Sequence, residues 1–168
     1  MLDQESTPVA YINGTAEDCT APKTLRLIEY WRARMPSDGG LPSWRDFDLM
    51  DLYDIAAALA VKDVIDGGND YINRFWGTSL TVALGFEGTG KLVSTYEPVS
   101  MRNAVSKRYG NVVRNRETSM ARGYISTMPG REFLTFELVH LPLRGKSDEV
   151  EHIISAYHFG LALPEGFG

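Results

Sequence analysis

The sequence predicts an α+β domain in which one antiparallel sheet carries its helices on one face. Hydrophobic residues recur at helical spacing near the N-terminus and again over residues 99–113. They alternate with a period of two between residues 59 and 76 and between residues 118 and 161. A chain of 168 residues is long enough for one such domain with a modest extension.

The N-terminal part is predicted to be a tail followed by helices. Residues 1–21 are small, polar and unpatterned, which is typical of a flexible tail. A helix is predicted from Pro22 to Met35, because four residues there form one apolar stripe. The stripe consists of Thr24, Ile28, Trp31 and Met35. A short second helix, capped by Asp48, completes a helical extension over residues 22–57.

A hairpin is predicted to follow. Residues 59–65 and residues 71–76 have the composition of strands. The sequence Asp66-Gly67-Gly68-Asn69 between them is typical of a tight turn, since glycine adopts positive φ without strain. Alternation along the returning strand predicts two sets of side chains on opposite sides. One set is Tyr71, Asn73 and Phe75, and the other is Ile72, Arg74 and Trp76.

Short helices and three further strands complete the prediction. Helical pieces are expected over residues 79–115, and the longest has an apolar face formed by Val105, Tyr109, Val112 and Val113. Strands are expected over residues 118–128, 132–143 and 150–161, with turns at residues 128–131 and 144–148. Helices placed between the hairpin and these strands enclose space against the sheet, where a pocket is plausible.

This order of elements, together with several short phrases, resembles the PAS domain family. The phrases are Tyr30-Trp31, Leu41-Pro42-Ser43, Asp46-Phe47-Asp48, Val64, Asp70-Tyr71, Arg74, Gly77-Thr78, Gly85, Thr89-Gly90 and Leu141-Pro142-Leu143. The match resembles a bacterial subfamily of small, often stand-alone proteins and extends over residues 25–159. The resemblance implies a five-stranded antiparallel sheet within a PAS-like domain at residues 58–163. It also implies sensing or protein interaction, sometimes through a bound small molecule. It does not imply a reaction.

Six residues are predicted to line a ligand pocket: Asn73, Phe75, Tyr109, Phe136, His140 and Tyr157. The alternative is that these strand aromatics fill a dry core. The cofactor is unknown from the sequence, although His140 is a candidate for a single haem ligand. His152 and His158 would lie roughly 20 Å apart on one strand, too far to share a metal. The side of the strand that carries Glu137 is expected to face water.

The glycine-rich segment at residues 85–91 has the glycine and lysine spacing of a phosphate-binding loop. Such a loop needs Ser or Thr next, where this chain has Leu92, and Pro98 shortens the helix that should follow. A structural turn is therefore favoured. The only cysteine, Cys19, excludes an intrachain disulfide and lies outside the region used by photochemical PAS relatives. No zinc-ligand spacing and no G-x-S-x-G motif is present.

A net charge of −5 argues against a nucleic-acid partner. The N-terminal residues do not resemble a secretory signal, and no window is apolar enough to span a membrane, so a cytoplasmic location is predicted. The predicted function is a non-enzymatic sensory or regulatory domain that binds a small molecule or a protein partner. It would signal through the N-terminal helix, which is also the expected homodimer contact. The alternatives are a cone-shaped α+β enzyme or carrier and an interaction module with a filled core.

Overall fold

The computed structural model describes residues 8–125 and 134–161. Within these residues, six strands form one antiparallel sheet with the order β1-β4-β5-β6-β2-β3. The strands are β1 (Pro8–Gly14), β2 (Leu59–Ile65), β3 (Asp70–Trp76), β4 (Ser119–Ile125), β5 (Leu134–Arg144) and β6 (Val150–Leu161). The α-helices are α1 (Pro22–Ala33), α2 (Thr78–Leu84) and α3 (Val99–Asn115). The predicted α+β class is confirmed, with one strand more than the five expected.

The additional strand is β1, which pairs with β4 from Pro8 opposite Ile125 to Gly14 opposite Met120. The prediction of a flexible tail over residues 1–21 is therefore wrong from residue 8 onward. The pairing is made by backbone groups along the edge of β4, so it needs no hydrophobic pattern in β1 itself. Residues 1–7 and the predicted turn at residues 128–131 lie outside the described residues.

Helix α1 lies on the sheet and covers β5 and β6. Its buried residues are Thr24, Leu27, Ile28, Tyr30 and Trp31, and they agree with the predicted stripe except at its end, where Met35 is exposed. The Trp31 Nε1 group donates a hydrogen bond of 2.9 Å to the carbonyl oxygen of Pro142 on β5. Helices α2 and α3 pack together on the opposite face, as the prediction of helices on one face plus N-terminal helices allows; the face that α1 covers was not predicted.

Strand β5 contributes alternate residues to the two faces. Phe136 and Leu138 pack in the core under α2, whereas Val139 and Leu141 pack in the core under α1. Glu137 shares the α1 face and is only 4% exposed. The expectation that this side meets water is therefore wrong, because α1 occupies it.

Strand β3 contains a bulge that changes which side chains face α3. Phe75 lies opposite Val61, but Asn73 lies opposite the next residue of β2, so Arg74 is an extra residue. The bulge places Phe75 against the α1-side core, and Trp76 packs in the other core. The prediction that Phe75 shares a face with Asn73 is therefore wrong.

The predicted turn and cap are present. Gly67 and Gly68 have φ angles of 69° and 116° in the β2–β3 turn, which is the region that favours glycine. Asp48 Oδ1 accepts a hydrogen bond of 2.9 Å from the Met50 N–H and so caps a 3₁₀ turn over Leu49–Leu52. No helix in the described segments is both long and apolar enough to cross a membrane.

Candidate ligand-binding site

A cavity of about 90 Å³ lies between the sheet and the helices α2 and α3. Its walls come from β3, β5 and β6 on the sheet side and from α2, α3 and the segment between them on the helix side. Six lining residues are aromatic: Trp76, Phe86, Tyr96, Tyr109, Phe136 and Tyr157. Aromatic walls with a few polar groups are typical of sites for small organic ligands.

Four of the six predicted pocket residues line this cavity: Tyr109, Phe136, His140 and Tyr157. Asn73 lies behind the wall, where its Nδ2 donates to the Gly88 carbonyl oxygen at 3.0 Å and to the Tyr96 hydroxyl at 2.6 Å. It therefore positions Tyr96 instead of lining the cavity. Phe75 is on the opposite face of the sheet because of the bulge.

The glycine-rich segment forms part of the cavity wall. The Gly90 N–H donates to the Asn73 carbonyl oxygen at 2.8 Å, and the Asn73 N–H donates to the Lys91 carbonyl oxygen at 3.1 Å, so the segment runs along β3. A Cβ atom at Gly88 would lie 2.6 Å from the Trp76 ring. The glycine at this position is required by close packing, which agrees with the predicted structural turn.

A chain of three buried polar side chains ends at the cavity. Lys62 Nζ donates to Ser155 Oγ at 2.6 Å, and Ser155 Oγ lies 2.5 Å from His140 Nδ1. Lys62 and Ser155 are completely buried, and Lys62 Nζ also lies 4.9 Å from the centre of the Tyr109 ring. Because Nδ1 of His140 is engaged, Nε2 is the ring nitrogen that remains for a ligand.

Burial dominates the electrostatics of these groups. It lowers the pKa of Lys62 from 10.5 to about 7. Burial, reinforced by the positive charges of Lys62 and Arg108, lowers the pKa of His140 well below its usual value. Burial also raises the pKa of both Tyr109 and Tyr157. At neutral pH the imidazole and the phenols are therefore neutral, and Arg108 carries the positive charge at the cavity wall.

A family model described as the PAS domain matches residues 19–158 of the chain. The chain belongs to the PAS domain family. The family comprises sensory and signalling domains, which are generally not enzymes. No curated protein sequence matches the chain.

Two solved structures are similar to this PAS domain. One is a sensory box histidine kinase/response regulator from Burkholderia thailandensis E264, with 10% sequence identity and a TM-score of 0.41 over 68% of this chain and 86% of that chain. The other is an RNA-binding light-oxygen-voltage receptor, with 16% identity and a TM-score of 0.41 over 90% of this chain and 37% of that chain.

Three observations on this PAS domain concern metal ligands and nucleophiles. The described residues contain no group of three or more His, Cys, Asp or Glu side chains that would hold a metal ion. Ser155 is hydrogen-bonded to Lys62, as in a nucleophile–base pair, but it is fully buried and does not line the cavity. Cys19 packs in the α1-side core, where burial and Glu137 raise its pKa to about 11.

Sequence reasoning missed several cavity residues. Trp76 was assigned to the wrong face because a bulge leaves no signal in the hydrophobic pattern. Arg108 was not among the predicted pocket residues, although it directly precedes the predicted pocket residue Tyr109. Lys62 did offer a signal, since it is a charged residue inside the apolar segment Leu59–Ile65.

On the other face of the PAS sheet, a carboxylate anchors α1. Glu137 accepts hydrogen bonds from the Ala21 N–H at 2.8 Å, from the Thr20 N–H at 3.1 Å and from the Thr24 hydroxyl. Arg122 Nη2 pairs with the same carboxylate at 2.7 Å. Burial alone would raise the pKa of Glu137, but these donors together lower it to about 2. The start of α1 is thus bound to β5 through an ionised side chain.

Proposed function

We propose that this PAS domain is a non-enzymatic sensory module that binds a small molecule in the cavity between α3 and the sheet. The observation that carries the proposal is the cavity itself. Its aromatic walls include Tyr109, Phe136 and Tyr157, and its polar groups include His140 and Arg108. Hydrophobic walls hold the body of a ligand, and a few polar groups fix its orientation.

The size of the cavity limits the ligand. A volume of about 90 Å³ is well below the roughly 300–1,000 Å³ of pockets for drug-sized molecules. The proposed ligand is therefore a compact molecule and not a macrocycle such as haem. This volume also exceeds what a single water molecule needs.

We further propose that the signal reaches α1 through β5. The β5 residues that would touch a ligand, Phe136 and His140, alternate with Glu137 and Val139, which contact α1 or its flanking residues or lie in the core beneath it. A small displacement of this strand changes both faces together, because successive side chains point to opposite sides. Ligand binding would then favour one packing of α1 over another, as a shift in population.

A second copy of the chain or a protein partner would bind the outer surface near α1. The apolar stripe of α1 is covered by the chain's own sheet, so it does not serve as the contact. Met50 in the nearby 3₁₀ turn is 75% exposed, and Tyr53, which directly follows this turn, is 78% exposed. In sedimentation velocity, Tyr53→Glu should dissociate a dimer, whereas Val82→Glu, also at an exposed apolar position, should not. A monomeric wild-type chain, or a dimer that persists in Tyr53→Glu, contradicts this contact.

Native mass spectrometry and thermal-shift screening of the full chain test the ligand proposal. Val105→Phe places a larger side chain in the cavity wall and narrows the cavity. The control is Val99→Phe, the same substitution at a half-exposed position at the start of the same helix. We expect wild type and Val99→Phe to bind compact organic molecules that stabilise them, and Val105→Phe to lose this binding. If no compact molecule binds wild type, or if Val105→Phe binds as wild type does, the proposal is wrong.

A further inference from the structure

The cavity has an excess of positive charge. Arg108 lines it directly, and Lys62 lies behind it, connected through Ser155 to His140. None of the lining residues is acidic. In the two described stretches of the chain, neither Arg108 nor Lys62 forms an ion pair with a carboxylate.

Lys62 is fully buried and Arg108 is half-buried, and such cations without a counter-ion are unusual, because removing a charge from water is costly unless an opposite charge compensates for it. Arg108 carries five N–H donors. The one hydrogen bond that it forms within the described residues goes to Asn13 Oδ1 on β1 at 3.3 Å. The remaining donors are available to a ligand.

A second donor at the cavity also lacks a partner. Trp76 lines the cavity and is only 7% exposed, yet its Nε1 has no hydrogen-bond acceptor in the part of the chain that the structure describes. Buried N–H groups are nearly always paired. Arg108 and Trp76 together therefore favour a ligand that brings acceptor oxygens.

Resting on the proposed function, we propose that the ligand is a small organic monoanion, a carboxylate on a compact apolar or aromatic body. Its carboxylate would bind Arg108, whose planar guanidinium matches the two carboxylate oxygens. Its body would pack against Phe136 and Tyr157 in the aromatic part of the cavity. A single charge is favoured because one permanently charged side chain lines otherwise largely apolar walls.

Benzoate and benzamide test this inference, since they have nearly the same shape and differ in charge. Each is titrated into the full chain by isothermal calorimetry at constant ionic strength. The variants are Arg108→Gln and the control Lys107→Gln, which removes the same charge from the neighbouring, exposed position of α3. Arg108→Lys keeps the charge but not the bidentate geometry. Circular dichroism establishes that each variant is folded.

We expect wild type to prefer benzoate over benzamide by about 10- to 100-fold, the range for charge-assisted hydrogen bonds. The preference should persist in Lys107→Gln, weaken in Arg108→Lys and disappear in Arg108→Gln. Equal binding of the two probes would overturn the monoanion inference and leave the proposed function intact. Binding of neither probe, nor of any other compact molecule in the screen above, would overturn both. A preference that survives in folded Arg108→Gln would overturn the role given to this arginine.

Discussion

Glu137 provides a test of how α1 is held on the sheet. Glu137→Gln keeps the shape of the side chain but removes the charge that accepts from Ala21, Thr20 and Arg122. Lowering the pKa from 4.5 to about 2 corresponds to about 3 kcal/mol of stabilisation. We reduce this to about 2–3 kcal/mol, because Arg122 is partly exposed and solvent screens its pairing.

The direction of the pKa shift at Glu137 determines how the stability lost in Glu137→Gln depends on pH. Because the folded pKa of Glu137 is lowered, the unfolded chain binds more protons between pH 4.5 and pH 2. The stabilisation is fully present above pH 4.5 and is lost as the pH falls toward 2. At pH 3, roughly two fifths of it should remain. The difference between wild type and Glu137→Gln should therefore shrink with acidification.

Denaturant unfolding followed by tryptophan fluorescence at pH 7 and pH 3 measures this difference. The control is Glu29→Gln, at an exposed position on α1. At pH 7 we expect Glu137→Gln to lose about 2–3 kcal/mol, or roughly 5–10 °C in Tm, and Glu29→Gln to stay within about 0.5 kcal/mol of wild type. A loss in Glu137→Gln that is equal at the two pH values, or no larger than in the control, refutes the reasoning.

Three further substitutions test the packing of the two faces by denaturant unfolding. Because burial lowers the pKa of Lys62 to about 7, the unfolded chain binds more protons between pH 7 and 10.5, and the buried charge is most costly below pH 7. The stability that Lys62→Met gains over wild type should therefore be about 3 kcal/mol larger at pH 6.5 than at pH 9.5; a gain independent of pH contradicts the burial of an ammonium group. Gly88→Ala should cost about 1–3 kcal/mol because the added methyl group meets the Trp76 ring, and an unchanged midpoint would show that the ring has room to move. Leu27→Ala should cost about 3 kcal/mol under α1, against less than 1 kcal/mol for Leu25→Ala on the exposed side, and similar losses for the two would contradict the docking of α1.

The parts of the fold that were predictable are those where a side-chain pattern reports burial. The period of two located β2, β3, β5 and β6 to within a few residues, and the apolar stripe located α1. Strand β1 was missed because it pairs through its backbone along the edge of the sheet. The position of α1 was not predictable either, since a stripe shows that a helix buries one side but not against which surface.

The candidate site was predicted where regular alternation holds and missed where it fails. Phe136, His140 and Tyr157 lie on strands without a bulge at that point, and period-two reasoning placed them correctly on one face. Because of the bulge at Arg74, Trp76 lines the cavity in place of the predicted Phe75. Bulges depend on pairing with the neighbouring strand, so one strand's sequence does not reveal them.

Opposite charges lie on the two sides of β5: the Glu137 carboxylate on the α1 side and the Arg108 guanidinium on the cavity side. This arrangement offers a physical basis for the proposed signalling. Glu137 faces α1, and His140, three residues further along β5, faces the cavity with Arg108. Unit charges about 10 Å apart interact by roughly 1.7 kcal/mol at an effective dielectric constant of 20. A carboxylate bound at Arg108 would repel the Glu137 carboxylate on the other face of the sheet, by about this amount if the two charges lie roughly 10 Å apart. That repulsion is comparable with the 2–3 kcal/mol that holds the start of α1, so a monoanion in the cavity would weaken the anchor without any large movement of the strand.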